Sequence, residues 1–352
     1  MAPGLRLPAM TRAGKRNLIT DVAGIVVGQA EDQSARTGVT VLLTEQSFAA
    51  AVDVRGGAPG TTETETLDLV SLVGAVDGIV LAGGSVYGLE AAAAVSAWLG
   101  AHGRGFRFRP EVPPAPIVPG AIIFDLANGG DKNWSDTPPY RALAQEAIQR
   151  AGEVFTLGNA GAGLGATAGV YKGGTGSASV IMEDGFTVGA LAIVNSVGSP
   201  VIPSTNVFWA FPFEQHSEFG GKRLAADSKP VDARLPPDIK HAPRAGANTT
   251  VAVVATDADL SRVELKRLAI MAGDGFARAI RPAHTPFDGD TVFAVATAKR
   301  QLGEPRAFEL MQLGNAAADC LARAIARGVY EADTLGDMQS YRDLCATPKE
   351  AK

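Results

Sequence analysis

The stretch Ala245-Gly246-Ala247-Asn248-Thr249-Thr250 runs without a break into Val251-Ala252-Val253-Val254-Ala255-Thr256. The second half is a β-branched run and reads as a strand. The first half is a small, flexible tripeptide that delivers the chain to an Asn–Thr bond where the strand opens. If that bond breaks, Thr249 becomes an N-terminus with a hydroxyl and a free α-amine on adjacent carbons. One residue then holds both a nucleophile and its base. A plain Gly-rich turn entering a strand has the same residues, so the rest of the chain decides between the two readings.

A chain of 352 residues accommodates two domains or one large α/β body. Its 46% hydrophobic and 20% charged residues provide for an ordinary globular core. The net charge of −5 comes without a basic cluster, which argues against nucleic acid and anionic membrane as partners. The 41 glycines gather in a few stretches, where tight backbone turns around a site would use them. Cys320 and Cys345 argue against a disulfide framework, and Cys320, beside Leu321 on a predicted helix, reads as a core residue. Arg6, Arg12, Lys15 and Arg16 are followed by no apolar signal region, and no apolar run reaches the length of a membrane span. A cytoplasmic location is the expectation.

Residues 1–17 read as a loose tail. Ile25-Val26-Val27 and Val39-Thr40-Val41-Leu42-Leu43 read as paired strands, and residues 49–54 as a third. The latter ends in the Gly/Pro cluster Arg55-Gly56-Gly57-Ala58-Pro59-Gly60, a demanding turn that an Asp53–Arg55 pair would brace. Residues 78–82 read as a buried strand, followed by Gly83-Gly84-Ser85-Val86-Tyr87-Gly88 and an Ala-rich helix over 89–99. A nucleophile elbow requires Gly two positions after the serine; Tyr87 stands there, so Ser85 reads as a turn or substrate-contacting residue. Amides at that helix start suit an anion such as a carboxylate.

Residues 138–151 read as an amphipathic helix and 154–157 as a strand leading into Gly158-Asn159-Ala160-Gly161-Ala162-Gly163-Leu164-Gly165. The spacing matches a dinucleotide fingerprint, with Glu183 and Asp184 downstream. The context does not: the next segment is more glycine with Thr175, Ser177 and Ser179, where an apolar helix is required. Close backbone approach around a pocket is the expected role, and Lys172 is either a solvated charge or a cation facing the site. Residues 186–194 form a predicted strand ending at Asn195, and residues 203–248 a long irregular connection. Ser261-Arg262-Val263-Glu264 has capping-box spacing ahead of a helix reaching Phe276. A loop over 281–290, a strand over 291–297, a helix over 308–327 stopped by Gly328, and a frayed tail beyond about 335 complete the chain.

Three polar sites thus sit at strand ends: Asn195 closing one, Thr249 opening another, Asp288 and Asp290 just ahead of a third. In an antiparallel sheet, one strand's end and its neighbour's start share a rim, so these residues can converge. Thr249 would attack a carbonyl while its α-amine, with a pKa of roughly 7.7–8.0, takes the proton. Asn195 would donate its amide N–H to the developing oxyanion. Asp288 and Asp290 would orient the threonine and hold its ammonium form. No partner set for a metal accompanies His284, and no metal or cofactor is expected.

The chain resembles the P1 family of peptidases, also called the DmpA or S58 family. The resemblance rests on Asn17-Leu18-Ile19-Thr20-Asp21-Val22, Asp53-Val54-Arg55-Gly56-Gly57-Ala58-Pro59-Gly60, Leu81-Ala82-Gly83-Gly84-Ser85, Pro116-Ile117-Val118-Pro119, Phe124-Asp125-Leu126, Lys172-Gly173-Gly174, Asn248-Thr249-Thr250 and Asp288-Gly289-Asp290-Thr291. These motifs are collinear from about residue 17 to 328. The resemblance implies an α/β (α+β) four-layer αββα sandwich, DmpA/ornithine-acetyltransferase-like, of the N-terminal-nucleophile hydrolase type. It implies one compact catalytic domain, cut before Thr249 into an α chain (1–248) and a β chain (249–352) that stay together, as a homo-oligomer of processed units. The implied substrates are small amides or peptides, including L-, D- or β-amino-acid amides and 6-aminohexanoate oligomers. Family roles fall on Thr249 as nucleophile, Asn195 as oxyanion contact and Asp288 and Asp290 as orienting acids. Gly84, Ser85, Tyr87 and Phe124 are expected at the substrate. The nylon-oligomer branch shares Asp-Gly-Asp and Thr with this chain; its site lysine aligns near Val170, with Lys172 as the stand-in, and Thr62 stands where an arginine is common.

A self-cleaving amidase or aminopeptidase is therefore the leading expectation. A 6-aminohexanoate oligomer hydrolase within the same family, a non-enzymatic protein holding an anionic metabolite on its Gly-rich turns, a dinucleotide-binding oxidoreductase, and acyl transfer from a Thr249 acyl-enzyme to an amine are the alternatives.

Overall fold

The computed structural model describes residues 11–228, 234–240 and 248–346. The Ala245-Gly246-Ala247 lead-in, residues 1–10 and the last residues of the tail lie outside the described residues. In chain order the strands are β1 (Arg12–Ala13), β2 (Ile25–Asp32), β3 (Thr37–Val54), β4 (Thr61–Thr62), β5 (Val76–Ala82) and β6 (Gly120–Ile122). They continue as β7 (Thr167–Ala168), β8 (Tyr171–Lys172), β9 (Gly174–Ile181), β10 (Thr187–Asn195), β11 (Thr249–Asp259) and β12 (Thr291–Gln301). The helices are α1 (Glu90–Ala101), α2 (Tyr140–Gln149), α3 (Arg262–Ala272), α4 (Asp274–Ala279), α5 (Arg306–Tyr330) and α6 (Tyr341–Ala346).

Why these strands stack in layers follows from their two apolar phases. Leu191 and Ile193 of β10, Val251 and Val253 of β11 and Phe293 and Val295 of β12 point one way. They share a buried cluster with Ile25 and Val27 of β2, Leu42 of β3 and Ile79 and Leu81 of β5. The alternate residues of β10, β11 and β12 (Ala192, Val194, Val254, Ala294) instead meet Leu265, Phe276, Leu321 and Ile325 on α3, α4 and α5. Val39, Val41 and Val80 turn outward onto Val95 and Leu99 of α1 and Leu143 and Ile148 of α2. Side chains alternate along a strand, so a run that is apolar at both phases must be covered on both faces. The result is the expected order helix–sheet–sheet–helix, with the sheet-to-sheet core in the middle.

β3 joins the two sheets. Its first half pairs with β2 and β5, its second half antiparallel with β12, and the register slips between Leu43 and Phe48. The sequence suggested separate strands on either side of residues 45–47; Glu45, Gln46 and Ser47 are exposed at the crossover, which hides the continuity. The β9–β10–β11 pairings are antiparallel, whereas β11–β12 is parallel.

Four other expectations are corrected. Residues 154–157 are no strand: the Gln29 side chain exchanges two 3.1 Å hydrogen bonds with the Thr156 backbone, in place of a ladder. Gly328 does not stop the last long helix, which runs to Tyr330. Instead α5 presses onto β9 there, since a Cβ at Gly176 would lie 1.9 Å from Ala324 O and 2.5 Å from Gly328 N. The tail is not frayed at 335, because Tyr341 is buried, donates to Asn206 O at 2.6 Å and packs on Phe208. Residues 11–17 are likewise tied down, through β1 on β9 and through Asn17, whose Oδ1 accepts from the buried Arg323 at 2.8 Å. The capping box at Ser261 is present, with Glu264 Oε2 accepting from Ser261 N at 2.8 Å. Among the described residues, no helix is long and apolar enough to cross a membrane.

Candidate active site

Strand register alone assembles the site. Antiparallel pairing of β10 with β11 sets Asn195 directly opposite Thr249. Parallel pairing of β11 with β12 places both strand starts at the same rim, so Asp288 bridges Asn248 and Asp290 lies beside Thr250. The rim was expected from antiparallel pairing alone; the parallel partner completes it. Asn195, Asn248, Thr249, Asp288 and Asp290 are all buried.

Hydrogen bonds then fix the detail. Thr249 Oγ1 donates to the carbonyl oxygen of Asn248, and Gly289 N donates to the same oxygen at 2.9 Å. Asp290 Oδ1 accepts from Thr250 N at 2.9 Å, while its Oδ2 accepts from His284 N at 3.0 Å and meets His284 Nδ1 at 2.9 Å. Asp288 Oδ1 accepts from Val197 N at 3.1 Å and its Oδ2 from Thr285 N at 3.2 Å. Burial, and then the charge of Asp290, push the Asp288 carboxyl above its ordinary pKa. The Gly/Pro turn after β3 cradles this loop: Arg55 N and Gly56 N donate to Asp290 O at 3.0 and 3.2 Å, and Ala58 N to Asp288 O at 2.9 Å. Arg55 pairs with Asp53 at 2.7 Å, as expected. Gly289 has to be glycine here. A Cβ would sit 2.7 Å from Thr249 Oγ1 and 2.7 Å from Ala58 O.

Asn195 donates one amide N–H to Phe124 O at 3.0 Å, and its Oδ1 accepts from Thr167 N at 3.0 Å. Phe124 therefore reaches the site through its carbonyl. The next residue, Asp125, accepts from Gly84 N at 2.7 Å and from Thr37 Oγ1 at 2.6 Å, and so ties the Gly84–Ser85 turn to the same wall. Ser85 takes a positive φ of 52° in that turn, and Tyr87 is half exposed with its ring edge-on to Trp134.

Lys172 is placed differently from either expectation. It is completely buried, and its Nζ donates to Gly163 O at 3.0 Å and Gly173 O at 2.7 Å. Neither bond is to Thr249, Asn195, Asp288 or Asp290. It adjoins the site through the β7–β8 hairpin, in which Lys172 stands opposite Thr167. Burial pulls its pKa down to about 7, against the pull of Asp125. In the unfolded chain the amine keeps its proton to roughly pH 10.4. Between pH 7 and 10 the unfolded state thus binds the extra proton, and stability rises with pH by up to about 1.4 kcal/mol per unit. Lys172→Met is expected to remove that contribution. Unfolding free energies at pH 7 and pH 9 should differ less in the variant than in the wild type; an unchanged difference would show that the lysine folds in charged.

Sequence reasoning missed Lys240. It lies in the long connection before Thr249, yet its Nζ donates to Asn195 Oδ1 at 3.1 Å and to Asn195 O at 3.2 Å. Only its place on the approach to the Asn–Thr bond could have drawn attention to it. Thr285 and His284 were also not anticipated as partners of the two aspartates.

The model of Peptidase family S58 matches residues 17–342. A Mycobacterium tuberculosis protein named as an uncharacterized aminopeptidase is 44% identical over 345 residues, covering 93% of this chain and 98% of that protein. A 6-aminohexanoate-oligomer endohydrolase from Kocuria sp. is 33% identical over 298 residues, covering 81% and 76%. Among solved structures, a Burkholderia sp. beta-aminopeptidase superposes with a TM-score of 0.68 at 21% identity, over 98% of both chains. The L-aminopeptidase D-Ala-esterase/amidase of Ochrobactrum anthropi, described as a variant of the Ntn hydrolase fold, gives 0.67 at 23% identity, over 97% of this chain and 95% of that one.

Proposed function

The chain belongs to peptidase family S58 and is a hydrolase of peptide or amide bonds, and from that premise we propose that it cuts its own Asn248–Thr249 bond and then uses Thr249 as an N-terminal nucleophile. The observation that carries this is the contact of Thr249 Oγ1 with the Asn248 carbonyl, whose oxygen also takes the Gly289 N–H.

In the first step Thr249 Oγ1 attacks the Asn248 carbonyl carbon. The charge that develops on Asn248 O falls on the Gly289 N–H, an amide already aimed at it. The C–N bond breaks, the proton lost from Oγ1 passes to the nitrogen of Thr249, and Asn248 is left as an ester on Oγ1. Water hydrolyses the ester, giving an Asn248 carboxylate and a free Thr249. Local energetics favour release. Among the described residues Asn248 Nδ2 is buried without a hydrogen-bond partner, a situation that costs about 1–3 kcal/mol and ends when Asn248 leaves. Departure also uncovers Thr249, which is only 1% exposed in the continuous chain.

The α-amine then takes the Thr249 hydroxyl proton as the hydroxyl attacks a substrate carbonyl, and passes it to the departing amine. Asn195, opposite Thr249 in the strand register, would donate to the substrate oxyanion. Asp288 and Asp290 flank the new amine, and their paired charges suit its ammonium form. Water completes the cycle by hydrolysing the acyl-Thr249 ester. The substrate class is a small peptide or linear oligoamide, in keeping with the names of its relatives.

A slowly deacylating ester, quenched in acid and mapped by peptide mass, tests the assignment. The acyl group is expected on the peptide that begins with Thr249. An adduct on Ser85 or Cys320 alone would assign the chemistry elsewhere.

A further inference from the structure

An amide side chain can serve an oxyanion only if its nitrogen, not its oxygen, faces the reacting carbon. In Asn195 that choice is made by what surrounds Oδ1. Thr167 N donates to it at 3.0 Å from the β7–β8 hairpin, and Lys240 Nζ at 3.1 Å from the opposite direction along the chain. With these donors, and the Thr167 hydroxyl at 3.4 Å, on Oδ1, the NH2 group must point away, towards Phe124 O.

Lys240 is held for this purpose by a short strap. Asp238 O accepts from Val170 N at 3.1 Å, Asp238 Oδ2 accepts from Ser199 Oγ, and Lys240 N donates to Val197 O at 3.0 Å. Its ammonium therefore arrives at Asn195 on an anchored backbone. From the other side, Asp288 Oδ1 accepts from Val197 N at 3.1 Å. Residues 195–197 are thus clamped between a lysine and one of the two site aspartates; burial pulls the Lys240 pKa down to about 7, against the pull of Asp288.

We propose that Lys240 is a positioning residue that, by donating to Oδ1, locks the Asn195 amide with its remaining N–H towards the reacting carbonyl. When protonated, the Lys240 amine on Oδ1 draws electron density through the amide and makes its N–H a better donor, as in other charge-assisted networks. The inference rests on Thr249 as nucleophile and Asn195 as oxyanion contact. It adds that the segment ahead of the cut contributes to the finished site.

Lys240→Met keeps the apolar stem and deletes the donors. In the purified, cut protein it should lower kcat for amide hydrolysis about 10- to 100-fold while KM stays within about twofold, because the ground-state carbonyl gains little from the oxyanion contact. Lys240→Arg, which restores a cationic donor, should recover part of the lost kcat. A residue that only stabilised the fold would change melting temperature and the yield of folded enzyme, leave kcat per folded molecule alone, and gain nothing specific from arginine. If Lys240→Met has wild-type kcat per folded molecule, the positioning role is wrong and the Thr249 reading stands. If the wild type is never cut and hydrolyses no amide, both are wrong.

Discussion

Thr249→Ala is expected to leave a single chain of 36.2 kDa and to abolish amide hydrolysis. Removing the hydroxyl deletes the group that attacks Asn248 and the group that attacks substrate, so both activities fail together. Loss of the nucleophile in a covalent mechanism typically costs about 10^6-fold in kcat. The fold should survive. Thr249 sits at the first residue of β11, where the backbone pairing to β10 carries the register, and among the described residues its hydroxyl donates only to the neighbouring carbonyl. Thr249→Ser provides the control, since it keeps hydroxyl and amine and should still be cut. An uncut Thr249→Ala chain that hydrolyses amides at the wild-type rate would remove Thr249 from the mechanism.

The second large effect belongs to Asn195. Asn195→Ala should lower kcat for hydrolysis by about 10²–10³-fold, the usual cost of deleting one oxyanion donor. It also removes the side-chain partner of Thr167 N and Phe124 O and one of the two acceptors of the Lys240 amine, which keeps the Asn195 carbonyl, so some loss of stability accompanies the loss of kcat. Asn195→Asp separates the two consequences, because its oxygens still accept from Thr167 and Lys240 while no N–H remains. The same loss of kcat in a better-folded protein would assign the effect to the oxyanion contact. The self-cut should be less affected than hydrolysis in both variants, since the Asn248 carbonyl already has the Gly289 amide. A kcat within tenfold of wild type in Asn195→Asp would rule the contact out.

Much of this site was legible because polar residues stand at the ends of apolar runs. Asn195 at the end of β10, Thr249 at the start of β11 and Asp288-Gly289-Asp290 ahead of β12 are marked that way, and strand register brings them together. The four-layer arrangement was expected from resemblance, and the double apolar phase of β10, β11 and β12 explains it physically. Other features depended on tertiary partners that no local pattern records. The exposed Glu45-Gln46-Ser47 step concealed that β3 is one strand shared by two sheets. Gly328 resembled a helix stop, and its role is clearance for β9 against α5. Lys172 stood out among glycines as a site cation, yet its ammonium is spent on the carbonyls of Gly163 and Gly173. Lys240, in a stretch with no regular structure, gave no periodic signal at all, and its importance comes wholly from where the strap leaves it.

The central claim is that one bond, Asn248–Thr249, is both the first substrate and the source of the catalytic amine. Denaturing mass spectrometry of the freshly purified wild-type protein, with N-terminal sequencing of each species, tests it most directly. The account requires two polypeptides, one ending at Asn248 and one beginning Thr249-Thr250-Val251, and a single uncut chain in Thr249→Ala. A wild-type chain that stays whole while hydrolysing amides, or one cut at another bond, would contradict it.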